Sequence, residues 1–158
     1  MKSKLILGTV QFGLRYGINN TIGKPEEKEV LSILNFAYNS GIRVLDTAEV
    51  YGNAHQLIGD FHKENSNIRF EIITKFPDSI KHSLICSKIT EYLDSLNVKY
   101  IDVIMFHSFE SFQSNYEVLE LLNHLKSRGV IKNIGVSVYT NSQLESLINE
   151  HLITVVQL

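Results

Sequence analysis

Six apolar runs of strand length, separated by segments of helical period, constrain this chain more than any other feature. The runs are KLILGTV (4–10), IRVLDT (42–47), FEIITKF (70–76), YIDVIMFHS (100–108), IKNIGVSV (131–138) and ITVVQL (153–158). Rich in Ile, Val and Leu, they suit strands buried on both faces. Five helices are expected between them. The first follows Pro25, with Glu26 and Glu27 in its opening turn and Val30, Ile33, Leu34 and Ala37 as its stripe, and closes at Gly41. The second carries Ala54, Leu57, Ile58 and Phe61 on one face, and the third runs from about Ser79 to Leu96 with Ile80, Leu84, Ile89, Leu93 and Leu96 aligned. The fourth is expected to start at Ser114, spaced from Glu117 as in a capping box, and to stop at Gly129. Thr140 and Gln143 repeat that signature for the fifth.

Repeating βα units imply parallel strands joined by right-handed crossovers. With 158 residues and no low-complexity linker, the chain reads as one domain, 1–158. Two architectures fit: an open doubly wound sheet or part of a (β/α)8 barrel. An open sheet usually binds its ligand at a Gly-rich first βα turn, but GTVQFGLRYG matches neither the dinucleotide fingerprint nor the phosphate loop. IGKP also lacks a Ser or Thr after its lysine.

The strand ends discriminate better. Asp46 closes the second run, Lys75 the third, His107 the fourth, Ser137 the fifth and Gln157 the sixth. Barrel enzymes assemble their sites from the C-terminal ends of different strands. Each residue alone has a plain structural reading: Asp46 as a cap, Lys75 as a solvated strand end, His107 as a hydrogen-bonded core histidine, Ser137 and Gln157 as partners of backbone groups. Five in sequence, aimed at one small volume, favour a site.

LDTAEVYG, ITKF and YIDVIMFHS resemble the aldo-keto reductase family, whose tetrad falls here on Asp46, Tyr51, Lys75 and His107. ILGTVQFG, GVSV and VVQL also look like the family's pattern. The resemblance implies an incomplete (β/α)8 TIM barrel of six parallel strands alternating with five helices. It also implies reduction of an aldehyde or ketone by NADPH, or alternatively NADH, with Tyr51 as general acid. A phenol of pKa about 10 donates better when a cation lowers that value, which is the part expected of Lys75. Asp46 would orient the lysine, and His107 would hydrogen-bond the carbonyl oxygen. In family terms Ser137 and Gln157 hold the nicotinamide carboxamide, and Gly8, Thr9 and Asp46 lie close to the cofactor.

The chain departs from that pattern in three places. Val138 follows Ser137 where the family usually has Asn, His55 follows YGNA where Glu is common, and no counterpart of the last two βα units is found before Leu158. The first and sixth strands are therefore expected as open edges, available for self-association or for a complementing chain.

Rival readings are a non-catalytic fragment or partner-binding module of the same ancestry, and a Schiff-base aldolase using Lys75. A net charge of −2 gives no reason to expect nucleic acid or an acidic membrane as partner. The single cysteine, Cys86, is read as an inert helix residue, and the setting as cytoplasmic. MKSKLILGTVQ is interrupted by Gly8, Thr9 and Gln11 before it could form a leader or a membrane span. The six histidines lack metal-ligand spacing, so no metal is expected, and Tyr16 is a candidate for the mouth of the site. The family subgroup that GTVQFGLRYGI resembles suggests a sugar-derived carbonyl as substrate.

Overall fold

The computed structural model describes residues 4–158; Met1–Ser3, the start of the stretch read above as no leader, lie outside them. The strands are β1 (Ile6–Gly8), β2 (Val44–Asp46), β3 (Glu71–Phe76), β4 (Ile101–Phe106), β5 (Ile131–Ser137) and β6 (Val155–Gln157). All pair in parallel, in the order β1-β2-β3-β4-β5-β6. A doubly wound sheet reverses its strand order at a switch point, and this one never does.

One hydrogen bond shows that the sheet is curled. Gln157 Nε2 at the end of β6 donates to Asp46 Oδ2 at the end of β2, at 3.0 Å. In a flat sheet four strand spacings would separate those residues by about 19 Å. The six strands thus form an open half-barrel with Gln157 and Asp46 facing each other across its lumen.

Helices cover the outside. They are α1 (Val10–Gly13), α2 (Glu27–Asn39), α3 (Ala54–Glu64), α4 (Ile85–Leu96), α5 (Phe109–Ser114), α6 (Leu119–Ser127) and α7 (Asn141–Leu147), with 3-10 turns at His82–Leu84 and Tyr116–Val118. Alternate strand residues face them: Leu45, Ile72, Phe76, Ile104, Phe106, Ile134 and Val136 share one core with Val30, Leu34, Leu57, Ile58, Phe61, Ile89 and Leu122. Full burial of each such side chain is worth about 1.5–3 kcal/mol. The intervening residues, including Asp46, Lys75, Met105, Ser137 and Gln157, face the lumen by the same period of two. At the crossing of α3 and α4 a Cβ on Gly59 would fall 1.9 Å from the Ser95 carbonyl oxygen, so only glycine lets the two helices approach this closely.

The structure corrects three helix expectations. Seven α-helices are described instead of five, because one-turn α1 and short α5 carry too few residues to show a period. Ser114 ends α5 and does not begin the fourth helix. The cap is Ser108, whose Oγ accepts from Ser111 N at 3.1 Å, and this start buries Phe109 and Phe112. The α4 stripe is Ile85, Ile89, Tyr92 and Leu96, with Leu84 in solvent and Ile80 buried before the helix starts. The Thr140 cap agrees with expectation: its Oγ1 accepts from Gln143 N, and Gln143 Oε1 reaches back to Tyr139 N. Cys86 lies on α4 as read, but on its exposed side. Among the described residues no helix is long and apolar enough to cross a membrane, and no group of three potential metal ligands occurs.

Candidate active site

The lumen-facing strand ends meet in a cavity of about 200 Å³ lined by Asp46, Tyr51, Lys75, His107, Ser137, Tyr139, Gln157 and Leu158. The four residues of the tetrad pattern, Asp46 among them also an expected cofactor residue, therefore share one space with two further expected cofactor residues, Ser137 and Gln157. Each arrives on a different element: Asp46 ends β2, Lys75 is the penultimate residue of β3, His107 follows β4, Ser137 ends β5 and Gln157 ends β6.

Asp46 is the hub. Its Oδ1 accepts from Lys75 Nζ in a direct ion pair and its Oδ2 accepts from Gln157 Nε2. Ser137 Oγ donates to Gln157 Oε1 at 3.2 Å, so carboxylate, amide and hydroxyl form one chain of hydrogen bonds. Lys75 is 2% exposed, and its Nζ also reaches the Thr47 carbonyl at 3.3 Å. A buried ammonium needs such partners to stay charged.

Tyr51 lies on the turn after β2, half-buried, its ring 6.2 Å from that of His107 in an edge-on arrangement and its centroid 5.7 Å from Lys75 Nζ. The expected lowering of its pKa is absent in this geometry. Burial first, then the Asp46 carboxylate and the Tyr16 and Tyr139 phenols, push Tyr51 above the ordinary phenol value. The ammonium is bound to Asp46, and an ion pair exerts a weaker field at a distance than a free charge, so burial prevails. Tyr51 keeps its proton through neutral pH. Burial, followed by the charge of Lys75, holds His107 below its usual value, leaving a neutral imidazole with one N–H to donate.

Gly8 and Thr9 are placed differently from the other expected cofactor residues. Gly8 pairs in register with Asp46, and a Cβ there would meet nothing within 4 Å. Thr9 is buried, and both its N–H and its Oγ1 donate to the Asp46 carbonyl at 3.0 Å. Thr9 thus fixes the end of β2 and does not line the cavity. Tyr16 is exposed outside the lining, with its carbonyl accepting from Gln11 and Asn20. Tyr139 and Leu158 were not anticipated; a phenol two residues past Ser137 at a strand end was the available signal.

Behind the site, His55 is buried on α3 with Nε2 2.8 Å from Thr74 Oγ1. Burial lowers its pKa from 6.5 to about 4, against a smaller opposing pull from Glu49 and Glu91. A folded value below the unfolded one gives stability that is complete above pH 6.5 and is lost as the pH falls toward 4. The full loss is about 3 kcal/mol at 1.36 kcal/mol per unit. His62 adds in the same direction: its Nδ1 donates to the Leu96 carbonyl and its Nε2 accepts from Phe70 N, so the ring is held neutral. Denaturant titrations at pH 7 and pH 4.5 should show His55→Gln losing less stability than the parent chain over that interval. Equal losses would mean that His55 protonates freely in the folded state.

A half-barrel of parallel βα units that brings an Asp–Lys pair, a phenol and an imidazole together at its strand ends defines a class: (β/α)8-type barrel proteins with polar side chains gathered at the C-terminal ends of their strands. The comparisons with known proteins agree. The chain belongs to the aldo/keto reductase family, whose model matches residues 4–158. It is 29% identical to D-arabinose 1-dehydrogenase of Saccharomyces cerevisiae, over 87% of this chain and 43% of that protein. An aldo-keto reductase structure from Pseudomonas aeruginosa superposes with a TM-score of 0.76 at 27% identity, covering 94% of this chain and 61% of the other. An aldo-keto reductase from Klebsiella pneumoniae in complex with NADPH has the same fold, with a TM-score of 0.71 at 20% identity over 97% of this chain and 53% of the other. The chain spans about half the length, or less, of the curated relatives it matches.

Proposed function

We propose that the chain carries the carbonyl-reducing site of an NADPH-dependent oxidoreductase. The observation that supports this most directly is the meeting of Asp46, Tyr51, Lys75 and His107 in one cavity with Ser137 and Gln157 beside them. Those last two fit a nicotinamide carboxamide: a hydroxyl and an amide facing the lumen offer both donors and acceptors to a group that has both. When bound, the nicotinamide supplies a hydride to the carbonyl carbon. Tyr51 gives its phenolic proton to the carbonyl oxygen as negative charge develops there, and the alcohol leaves. His107 donates its N–H to the same oxygen and fixes the substrate's pose. Lys75, oriented by Asp46, stabilises the phenolate left on Tyr51 until solvent reprotonates it. NADH in place of NADPH is the alternative cofactor.

The substrate class we place first is a small, sugar-derived aldehyde or ketone. Among the lining residues only Leu158 is apolar, which suits a polyhydroxylated carbonyl, and one relative is named for a sugar. The lone cysteine, free and exposed on α4, is in keeping with a cytoplasmic setting. A second reading, a partner-binding module, is favoured by apolar side chains on the two outer strands: Ile6 of β1 is 53% exposed and Val156 of β6 37%.

A thermal melt with and without NADPH, followed by an NADPH-oxidation assay on short aldoses, tests the first reading. A transition that rises with NADPH is expected, because a ligand selective for the native state stabilises by RT ln(1 + [L]/Kd). A cooperative melt indifferent to both cofactors would overturn the reading for this chain, and a doubled mass in solution would then favour the second.

A further inference from the structure

Tyr51 is held by a turn, and the turn by two walls. From Thr47 to Glu49 the backbone still follows β3, with Thr47 N donating to the Ile73 carbonyl at 2.8 Å and Glu49 N to the Lys75 carbonyl at 3.2 Å. The chain then folds back, Tyr51 N donating to the Ala48 carbonyl at 3.1 Å. On one side α1 presses against it: a Cβ on Gly13 would fall 1.7 Å from the Tyr51 carbonyl oxygen, and Gly52 has a φ of +58°.

The other side is Glu49. Its carboxylate accepts from the Tyr92 hydroxyl and from Lys88 Nζ at 2.8 Å, both on α4, and Lys88 also binds Glu91 at 2.9 Å. Tyr92 is itself fixed, 1% exposed, with its ring 5.2 Å from His55 and 6.0 Å from Phe76. His55 in turn bonds Thr74, the residue before Lys75. Glu49 therefore touches the strand that carries Lys75 through its backbone and α4 through its side chain, and it stands two residues from Tyr51.

We propose that Glu49, clamped by Tyr92 and Lys88, is a positioning residue that sets the Tyr51 phenol against Lys75 and His107. The inference rests on the reading of Tyr51 as proton donor. A hydroxyl bonded to a carboxylate is stronger than a neutral pair, and its removal leaves a partly buried charge with fewer partners. The turn would then relax toward solvent. A misplacement of about 1 Å at a reacting group costs up to about 100-fold in rate.

The test compares Glu49→Ala, Glu49→Gln and Tyr92→Phe with the parent chain. It uses reductase kinetics, thermal melts, and NMR titration of chains carrying ζ-13C tyrosine, with Tyr51 assigned by Tyr51→Phe. Glu49→Ala is expected to lower kcat by about 10- to 100-fold with KM unchanged, and to add no further loss in a Tyr51→Phe background. Tyr92→Phe should do the same in smaller measure. Glu49→Gln, which still accepts from Tyr92, should recover most of kcat. In Glu49→Ala the Tyr51 titration should fall toward that of a free phenol as its burial is relieved.

A Glu49→Ala chain that melts lower but keeps kcat and the Tyr51 titration would overturn the proposal, since Glu49 would then be structural only. If the parent chain showed no turnover yet the Tyr51 titration moved, the positioning role would stand and the reductase reading would fail. Neither turnover nor a moved titration would refute the positioning role as well.

Discussion

Tyr51→Phe is expected to lower carbonyl reduction by about 10²- to 10⁴-fold, the range a positioned general acid supplies, while NADPH binding and the thermal melt stay as in the parent chain. The substitution removes one oxygen and leaves the ring, whose edge-on contact with His107 does not need the hydroxyl. The half-buried phenol has its pKa raised, so the proton it would donate is present throughout the neutral range. The same shift fixes the expected pH profile: activity should hold through neutrality and fall on the alkaline side only where Tyr51 ionises, above the ordinary phenol value. Steady-state kinetics of the two chains from pH 6 upward measure both features. Equal kcat in Tyr51→Phe would remove the phenol from the mechanism and leave the proton to another donor lining the cavity, His107 or Tyr139.

A second large effect is expected at the opposite end of the barrel. Asp102, near the start of β4, is buried on the helix-facing side, and its carboxylate accepts from Arg69 at 2.7 Å, from Ile72 N at 2.9 Å and from Lys132 at 3.0 Å. Asp102→Ala would leave a backbone N–H of β3 without its acceptor and the Arg69 guanidinium, whose Nε already lacks a partner, without its counter-ion. Breaking a buried pair from one side costs about 3–5 kcal/mol. Arg69 retains part of its water contact, so the lower end applies: about 3 kcal/mol, or roughly 10 °C in Tm for a chain of 158 residues. Asp102→Asn should cost less, since its amide oxygen can still accept from Ile72 N. Calorimetry decides the matter, and a loss below about 1 kcal/mol for Asp102→Ala would show that solvent screens the cluster.

The candidate site was legible because barrel chemistry is written at strand ends, and strand ends are marked by a switch from apolar to polar residues. Asp46, Lys75, His107, Ser137 and Gln157 could each be found that way, and the structure brings all five to one cavity. Thr9 lay beyond that approach: the family resemblance implies a place near the cofactor for it, and what the structure shows is both its donors bound to the Asp46 carbonyl. The Ser114 cap shows another. Ser-x-x-Glu spacing is local and recurs by chance, whereas the true start at Ser108 is chosen by where Phe109 and Phe112 find the core.

Periodicity by itself determined the alternation of strand and helix, the parallel sheet and the order in which polar groups reach the strand ends. These depend on backbone geometry and on residues close in the chain. Only the tertiary structure decided that the sheet curls, that Gln157 meets Asp46 across 111 positions, and that Glu49 is tied to α4. It also decided the sign of the shift at Tyr51. Burial and the distribution of charge around a phenol are sums over groups far apart in sequence, and they take a value only once the chain has closed around them.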